Sequence, residues 1–300
     1  MSSPMPGRIG FVGLGVMGRP MAERLCRAGY DLVVWTRTEK NAQGLLDLGA
    51  RFARSPAEVA AESGIVLSCL LDTDVIEAVY LGPDGLASTA AVGSVFVEHG
   101  TFEPSMARAV AKRLAARGSG FLDAPISGGA ERAATGELAC MVGGDPTVLD
   151  RIRPVLATLA SVVEHVGEVG SGLELKLVNQ FLVATHVLAA AEAAELVARL
   201  KLPARIAEPV LRAGWANSTM LEQCFGRALR RDFSGASATV GGMAEVLDVV
   251  ASLVRSTGLP TRLFPIVQDA FAQGLDGGHT KDHLASLVDL YTPASESPAP

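Results

Sequence analysis

The sequence predicts an α/β domain built on a parallel sheet, followed by an all-helical domain. In the first half of the chain, short β-branched apolar runs alternate with helical patterns, which is typical of parallel strands joined by crossover helices. After about residue 167, apolar residues recur near every 3.6 positions without convincing strands. We expect the α/β domain at 1–166, the helical domain at 167–291, and an unordered Pro-, Ser- and Ala-rich tail at 292–300.

The apolar runs of the first half give seven candidate strands. Gly29 and Gly49 stand where helices should end, and Ser55 with Glu58 forms a capping-box pattern that should begin a helix. Asp145-Pro146 should begin another helix in the same way. The candidate strands are Ile9–Val12, Leu32–Trp35, Ile65–Leu70, Ser94–Val97, Gly120–Asp123, Leu138–Val142 and Val162–Val166.

Composition excludes several classes of protein. With 49% hydrophobic and 19% charged residues, the chain is too apolar to be disordered. Its net charge of −6 and the absence of a basic run argue against nucleic acid as a partner. The four cysteines are far apart and no His cluster has metal spacing, so we expect reduced thiols and no metal. The amino terminus lacks the layout of a secretory signal, so we expect a mature cytoplasmic protein.

The most apolar helical stretch runs from Leu177 to Ala191. It includes Asn179, Gln180 and His186, and it is shorter than the roughly 20 apolar residues that a membrane span needs. We therefore expect a core helix and no membrane association. Because the helix is apolar on too many sides for a surface helix, we also expect a homodimer or homotetramer, which light scattering showing only monomer would contradict.

A G-x-G-x-x-G motif follows the first candidate strand and precedes a helical segment. In this context Gly13 permits a tight turn, Gly15 allows a pyrophosphate to approach, and Gly18 packs the helix on the strand. The free N–H groups at the helix start then bind the phosphates, as in a Rossmann dinucleotide site. An ordinary glycine-rich turn is the alternative. The loop residues predicted to bind the cofactor are Gly13, Leu14, Gly15, Val16, Met17 and Gly18.

Arg37 follows the second candidate strand, 37 − 18 = 19 residues after the last fingerprint glycine. An acidic residue there would bind the ribose 2′-hydroxyl of NAD, whereas arginine accommodates the 2′-phosphate of NADP. Arg37, with Thr38, therefore favours NADP(H). In the alternative, Arg37 is a solvated loop residue and Glu39 binds the ribose.

Two later segments carry candidate substrate groups. Ser127-Gly128-Gly129 follows a strand and can present several N–H donors and a hydroxyl to a carboxylate, although an ordinary tight turn has the same composition. Lys176 and Asn179 are three residues apart on one helix, among apolar neighbours. A partly buried ammonium there is a candidate proton donor near neutral pH, while a solvent-facing lysine is the more ordinary interpretation.

Four segments together resemble the β-hydroxyacid dehydrogenases, a family that includes 3-hydroxyisobutyrate dehydrogenase and tartronate semialdehyde reductase. The segments are the fingerprint Gly13–Ala22, Trp35-Thr36-Arg37-Thr38, Asp123-Ala124-Pro125-Ile126-Ser127-Gly128-Gly129, and the G-x-x-G-x-G-x-x-x-K-x-x-N run from Gly167 to Asn179. The resemblance covers nearly the whole chain. It implies a Rossmann domain, a helical domain that forms the dimer, and an active site between them.

The resemblance also implies roles for individual residues. Hydride would pass between NADP(H) and a small β-hydroxyacid or its semialdehyde, with Lys176 as general acid and base, oriented by Asn179. The substrate carboxylate would bind at Ser127, Gly128 and Gly129, with Thr101 near the nicotinamide. Leu70, Leu71 and Thr101 complete the predicted cofactor-binding residues.

The chain departs from the family pattern at two places. The usual Asp-x-Ser-Thr is Glu98-His99-Gly100-Thr101 here, and an ungapped count places Met243 and Ala244 at the usual Lys-Asp. His99 titrates near neutrality in principle, but no neighbouring residue supports a catalytic role. Two alternative functions stay open: an imine reductase of similar plan, and a non-catalytic NADPH-binding oligomer.

Overall fold

The computed structural model describes residues 7–235 and 238–291. The described residues divide into two compact units, with the division between Lys176 and Leu177. The first unit contains the sheet and the second is helical, which confirms the predicted fold class. The boundary of the folding domains at 166/167 stays a prediction, and the predicted tail at 292–300 lies outside the described residues.

The first unit contains nine strands and eight complete helices among the described residues. The strands are β1 (Ile9–Val12), β2 (Leu32–Trp35), β3 (Arg51–Phe52), β4 (Ile65–Ser68), β5 (Val95–Glu98), β6 (Gly120–Asp123), β7 (Ile126–Ser127), β8 (Leu138–Gly144) and β9 (Ala160–Gly167). The helices are α1 (Gly18–Arg27), α2 (Gln43–Asp47), α3 (Pro56–Glu62), α4 (Thr73–Ile76), α5 (Leu86–Thr89), α6 (Pro104–Ala115), α7 (Gly129–Thr135) and α8 (Pro146–Leu159).

The strand order is β3-β2-β1-β4-β5-β6-β8-β7, with β9 paired to β8. Strands β1 to β6 are parallel; Ile9 of β1, for example, is in register with Leu32 of β2 and with Ile65 of β4. The chain order reverses at β1, which lies between β2 and β4. Such a switch point leaves a crevice at the carboxyl ends of the strands, where ligands of open α/β sheets bind.

The sheet is mixed rather than wholly parallel, which corrects the sequence prediction. Strand β8 runs antiparallel to both β6 and β7. The two-residue strands β3 and β7 were not predicted, because two residues are too few to show an alternating pattern. Strand β9 is longer than predicted, and β4 ends at Ser68 rather than Leu70.

The central strands are buried on both faces, which explains their continuous apolar runs. Phe11 and Val97 pack in a cluster on one side, whereas Val12 and Phe96 pack in a second cluster. At the start of α3, Ser55 Oγ accepts a hydrogen bond from Glu58 N at 3.2 Å, as its capping pattern predicts.

The second unit is formed by helices. They are the continuation of α9 (Ser171–Arg199), then α10 (Ala204–Ala213), α11 (Thr219–Arg230), α12 (Val240–Thr257) and α13 (Phe264–Asp276), followed by a 3₁₀ segment, Leu284–Tyr291. Its core joins side chains such as Val187 of α9, Phe225 of α11, Leu247 of α12 and Phe271 of α13. The predicted change from mixed α/β to helical structure is confirmed.

Helix α9 is long and apolar enough, by length and composition, to cross a membrane, and it is the only such helix among the residues described. It contributes Ala184, Val187 and Ala191 to the core of the second unit. Both properties are those of a central helix in a helical core.

Candidate cofactor and catalytic site

The predicted cofactor residues of the first unit lie at the carboxyl ends of its parallel strands. The fingerprint loop follows β1, Arg37 follows β2, Leu70 follows β4 and Thr101 follows β5. Parallel pairing brings these ends to one edge of the sheet. The fold thus gathers residues that are far apart in the sequence.

The fingerprint glycines have different surroundings. Gly13 has a φ of +90°, and an added Cβ would lie 2.4 Å from the Cys69 carbonyl oxygen. An added Cβ on Gly18 would lie 1.9 Å from the Gly13 carbonyl oxygen, whereas nothing lies within 4 Å of one on Gly15. The loop thus needs glycine for its turn at Gly13 and for helix packing at Gly18, and it leaves Gly15 open to a ligand.

Replacing Gly18 by alanine should destabilise the first unit, and replacing Gly15 by alanine should not. The methyl group added at position 18 would meet the Gly13 backbone, and such overpacking costs on the order of 3 kcal/mol, or a decrease of roughly 6–12 °C in Tm. Thermal unfolding of the two variants checks this expectation. Equal Tm values for both would contradict the packing role of Gly18.

Arg37 and Thr38 are exposed just beyond β2, and Glu39 begins an exposed 3₁₀ turn, Glu39–Ala42. Val16 and Leu71 are also exposed, at 63% and 75%. Exposed apolar side chains beside the fingerprint and at the β4 end give surface on which a ligand can pack.

The β6–β7 loop contains Ser127, Gly128 and Gly129. Gly128 and Gly129 have φ values of +139° and +75°, a region that L side chains rarely adopt, and nothing lies within 4 Å of a Cβ added to Gly129. Ser127 ends β7, and α7 begins at Gly129. The local backbone therefore requires glycines, and it leaves one side of Gly129 uncovered.

Asp123, which the sequence did not single out by itself, ties the end of β6 to the start of α9. Its two carboxylate oxygens accept hydrogen bonds from Gly170 N at 2.7 Å and Leu173 N at 2.9 Å. Burial raises the pKa of this carboxyl to about 6 in spite of these bonds. Asp123 therefore fixes the beginning of the helix that carries Lys176.

Lys176 is 7% exposed, on the first turns of α9. Burial lowers its pKa to about 8. Within residues 7–235 and 238–291, no carboxylate forms an ion pair with this amine to oppose that effect. Near pH 8 the side chain is thus divided between ammonium and amine, as a proton-transfer group requires. Asn179, partly buried, follows it three residues later on the same helix.

His99 is 2% exposed, and its Nδ1 lies 2.8 Å from the Ala124 carbonyl oxygen. Burial lowers the pKa of the ring to about 4. The imidazole is therefore neutral at physiological pH, and the hydrogen bond attaches it to the loop that begins at Ala124.

Met243 lies in α12 and is 7% exposed in the core of the second unit, with Ala244 packed partly against that core. The position where the family pattern has lysine is thus a packing position in this chain. Elsewhere in the described part of the chain, no group of three or more His, Cys, Asp and Glu side chains could hold a metal ion.

Family models match both parts of the chain. Residues 8–167 match the NAD binding domain of 6-phosphogluconate dehydrogenase. Residues 170–291 match the NAD-binding domain of NADP-dependent 3-hydroxyisobutyrate dehydrogenase.

Similar proteins extend over nearly the whole chain. L-threonate dehydrogenase of Cupriavidus necator is 32% identical over 98% of this chain and 99% of its own. The crystal structure of 3-hydroxyisobutyrate dehydrogenase from Salmonella typhimurium matches with a TM-score of 0.87 and 28% identity, over 95% of this chain and 99% of its own. An imine reductase of Bacillus cereus shares the fold. Its structure matches with a TM-score of 0.62 and 23% identity, over 97% of this chain and 100% of its own.

Proposed function

The chain belongs to the β-hydroxyacid dehydrogenase family, and we propose that it transfers hydride between NADP(H) and a small β-hydroxyacid or the corresponding semialdehyde. At the coarser level, it is a nicotinamide-dependent oxidoreductase that acts on the CH–OH group of hydroxyacids. The burial of Lys176 carries the proposal, because it gives the amine a pKa suited to proton transfer.

The fingerprint loop fits a dinucleotide, since Gly15 is open and α1 begins at Gly18, so that the positive end of the helix dipole lies at the loop. Gly13 to Gly18 would hold the pyrophosphate, and Leu70, Leu71 and Thr101 would contact the nicotinamide half. When bound, the nicotinamide supplies or accepts the hydride. The protein supplies position and a proton.

In reduction, Lys176 Nζ donates a proton to the carbonyl oxygen of the semialdehyde; in oxidation, it accepts the proton of the hydroxyl group. Asn179 orients the lysine or the substrate oxygen. The Ser127 hydroxyl and the N–H groups of Gly128 and Gly129 bind the substrate carboxylate, which places the reacting carbon at a fixed distance from its anchor.

NADP-linked oxidation of a panel of hydroxyacids tests this function. The panel consists of serine, 3-hydroxyisobutyrate, 3-hydroxypropionate, threonate, glycerate and 4-hydroxybutyrate. We expect turnover of at least one β-hydroxyacid and none of cyclic imines offered with NADPH. A protein that binds NADPH but oxidises no member of the panel would instead be the non-catalytic oligomer suggested by Met243.

A second copy of this chain is the proposed partner, in a homodimer or homotetramer. The second unit exposes large apolar side chains at fractions between 47% and 64%: Leu182 and Leu196 of α9, Ile206 and Val210 of α10, and Ile266 of α13. Apolar surface of this kind marks sites of association. We also propose that the protein works in the cytoplasm, on small carboxylates, without nucleic acid or membrane partners.

A further inference from the structure

Glu98, the last residue of β5, has a fully buried carboxylate. Its Oε1 accepts hydrogen bonds from Leu70 N at 3.0 Å and from Gly100 N at 2.7 Å. Its Oε2 is hydrogen-bonded to the Ser68 hydroxyl, which in turn lies 2.5 Å from the Tyr80 hydroxyl. The carboxylate thus joins the end of β4 to the end of β5, and its burial is offset by several donors.

The β4 end that Glu98 holds lies directly against the fingerprint turn. A Cβ added to Gly13 would lie 2.4 Å from the Cys69 carbonyl oxygen and 3.0 Å from Leu70 Cδ2. The hydrogen bond to Leu70 N therefore acts on a residue that contacts the turn. A change at Glu98 would reach this turn through a single residue.

Gly100 is adapted to the same arrangement. A Cβ at this position would lie 2.3 Å from the Leu70 carbonyl oxygen and 2.8 Å from Glu98 Oε1. The close approach of the two strand ends therefore requires a residue without a side chain. Glutamate at 98 and glycine at 100, the two departures from the family pattern at this strand end, fit each other sterically.

We infer that Glu98 is a positioning residue for the dinucleotide: its carboxylate holds Leu70 and the Gly100-Thr101 segment in the arrangement that binds the nicotinamide half. The inference rests on the proposed dinucleotide-dependent function and extends it to a residue that does not touch the reacting atoms.

The charge state of Glu98 matters because, among residues 7–235 and 238–291, no cation contributes to its electrostatics. Burial and Glu98 raise the pKa values of Cys69 on the β4 end and of Tyr80 in the π-helical segment Glu77–Leu81. Burial lowers the pKa of the adjacent His99 to about 4. All three are neutral at pH 7. Burial raises the pKa of Glu98 to about 7. Its ionised form, which accepts charge-assisted hydrogen bonds, therefore predominates only above neutral pH.

The experiment compares the wild type with Glu98→Gln, which keeps the shape and one acceptor oxygen but removes the charge. Dissociation constants for NADPH and NADH are measured by fluorescence titration near pH 6 and pH 8. The wild type should bind NADH several-fold more tightly at the higher pH. At the higher pH, Glu98→Gln should bind NADPH up to roughly tenfold more weakly than the wild type, because neutral hydrogen bonds replace charge-assisted ones. Its dissociation constant for NADH should be the same at both pH values.

NADH is included because it lacks the 2′-phosphate, a group that itself titrates near pH 6. Tyr80→Phe is the matched control: it removes a hydroxyl of the same buried cluster without removing the carboxylate. It should lower Tm and keep the wild-type dissociation constants and their pH dependence.

Several outcomes would overturn the inference. In the first, Glu98→Gln has the same dissociation constants as the wild type at both pH values. In the second, Glu98→Gln and Tyr80→Phe weaken dinucleotide binding equally. In the last, the dissociation constant of the wild type for NADH does not change with pH. The last outcome needs no variant, so it holds even if Glu98→Gln fails to fold. Failure of the proposed function is distinguishable: a wild-type protein without a dinucleotide site would bind neither NADPH nor NADH at any pH, and one that binds them without hydride transfer would oxidise no member of the hydroxyacid panel.

Discussion

Lys176→Ala will lower kcat by roughly 10²-fold or more and leave the dissociation constant of NADPH nearly unchanged. The buried amine is the proposed proton donor, and its removal leaves only water for that step. Steady-state kinetics and a binding titration measure the two quantities. Lys112→Ala, which removes an exposed lysine of α6, is the control and should behave as the wild type. Full turnover by Lys176→Ala would remove the proposed mechanism.

The pKa of Lys176 also sets the direction of the pH dependence. Because the ammonium is the acid in reduction, kcat/KM for semialdehyde reduction should fall as the pH rises through about 8. Oxidation uses the neutral amine, so its rate should rise over the same range. The pKa of Lys176 also affects stability. Between a pH of about 8 and 10.5, its ordinary value, the folded state binds fewer protons at this amine than the unfolded state does. The free energy of unfolding should therefore increase as the pH rises through this range.

Arg37→Asp will shift the preference between NADP and NAD toward NAD by tens-fold or more. A charge-assisted contact with the 2′-phosphate contributes on the order of 1.5–3 kcal/mol, and aspartate would instead repel the phosphate and bind the ribose hydroxyls. The ratio of kcat/KM for the two cofactors measures this preference. Arg54→Asp makes the same charge change at another exposed arginine and should leave the ratio unchanged. If Arg37→Asp also leaves it unchanged, Glu39 becomes the candidate for ribose binding.

The fingerprint site was predictable because its determinants are adjacent along the chain. The apolar run of β1, the three glycines and α1 occupy one continuous segment; Gly13 and Gly18 each have a distinct steric reason, and Gly15 is open. The burial of Lys176 was predictable for a similar reason, since leucines flank it on both sides in the sequence.

The Glu98 cluster was not predictable in this way. Its hydrogen bonds join residues that are 28 and 30 positions apart, and no local pattern marks a buried glutamate at a strand end. The one available signal was the departure at Glu98 and Gly100 from the family pattern. The antiparallel pairing of β8 with β6 and β7 was likewise hidden, because β7, which lies between them along the chain, has only two residues.

Rescue of Lys176→Ala by small primary amines tests the proposed proton transfer most directly. Removal of the long side chain leaves space for a small amine near the position of Nζ. We predict that kcat for NADP-linked hydroxyacid oxidation rises with the concentration of the free base of an added amine and depends on the pKa of that amine. Wild-type turnover in the unrescued variant, or a kcat that no added amine raises, would contradict the role of Lys176.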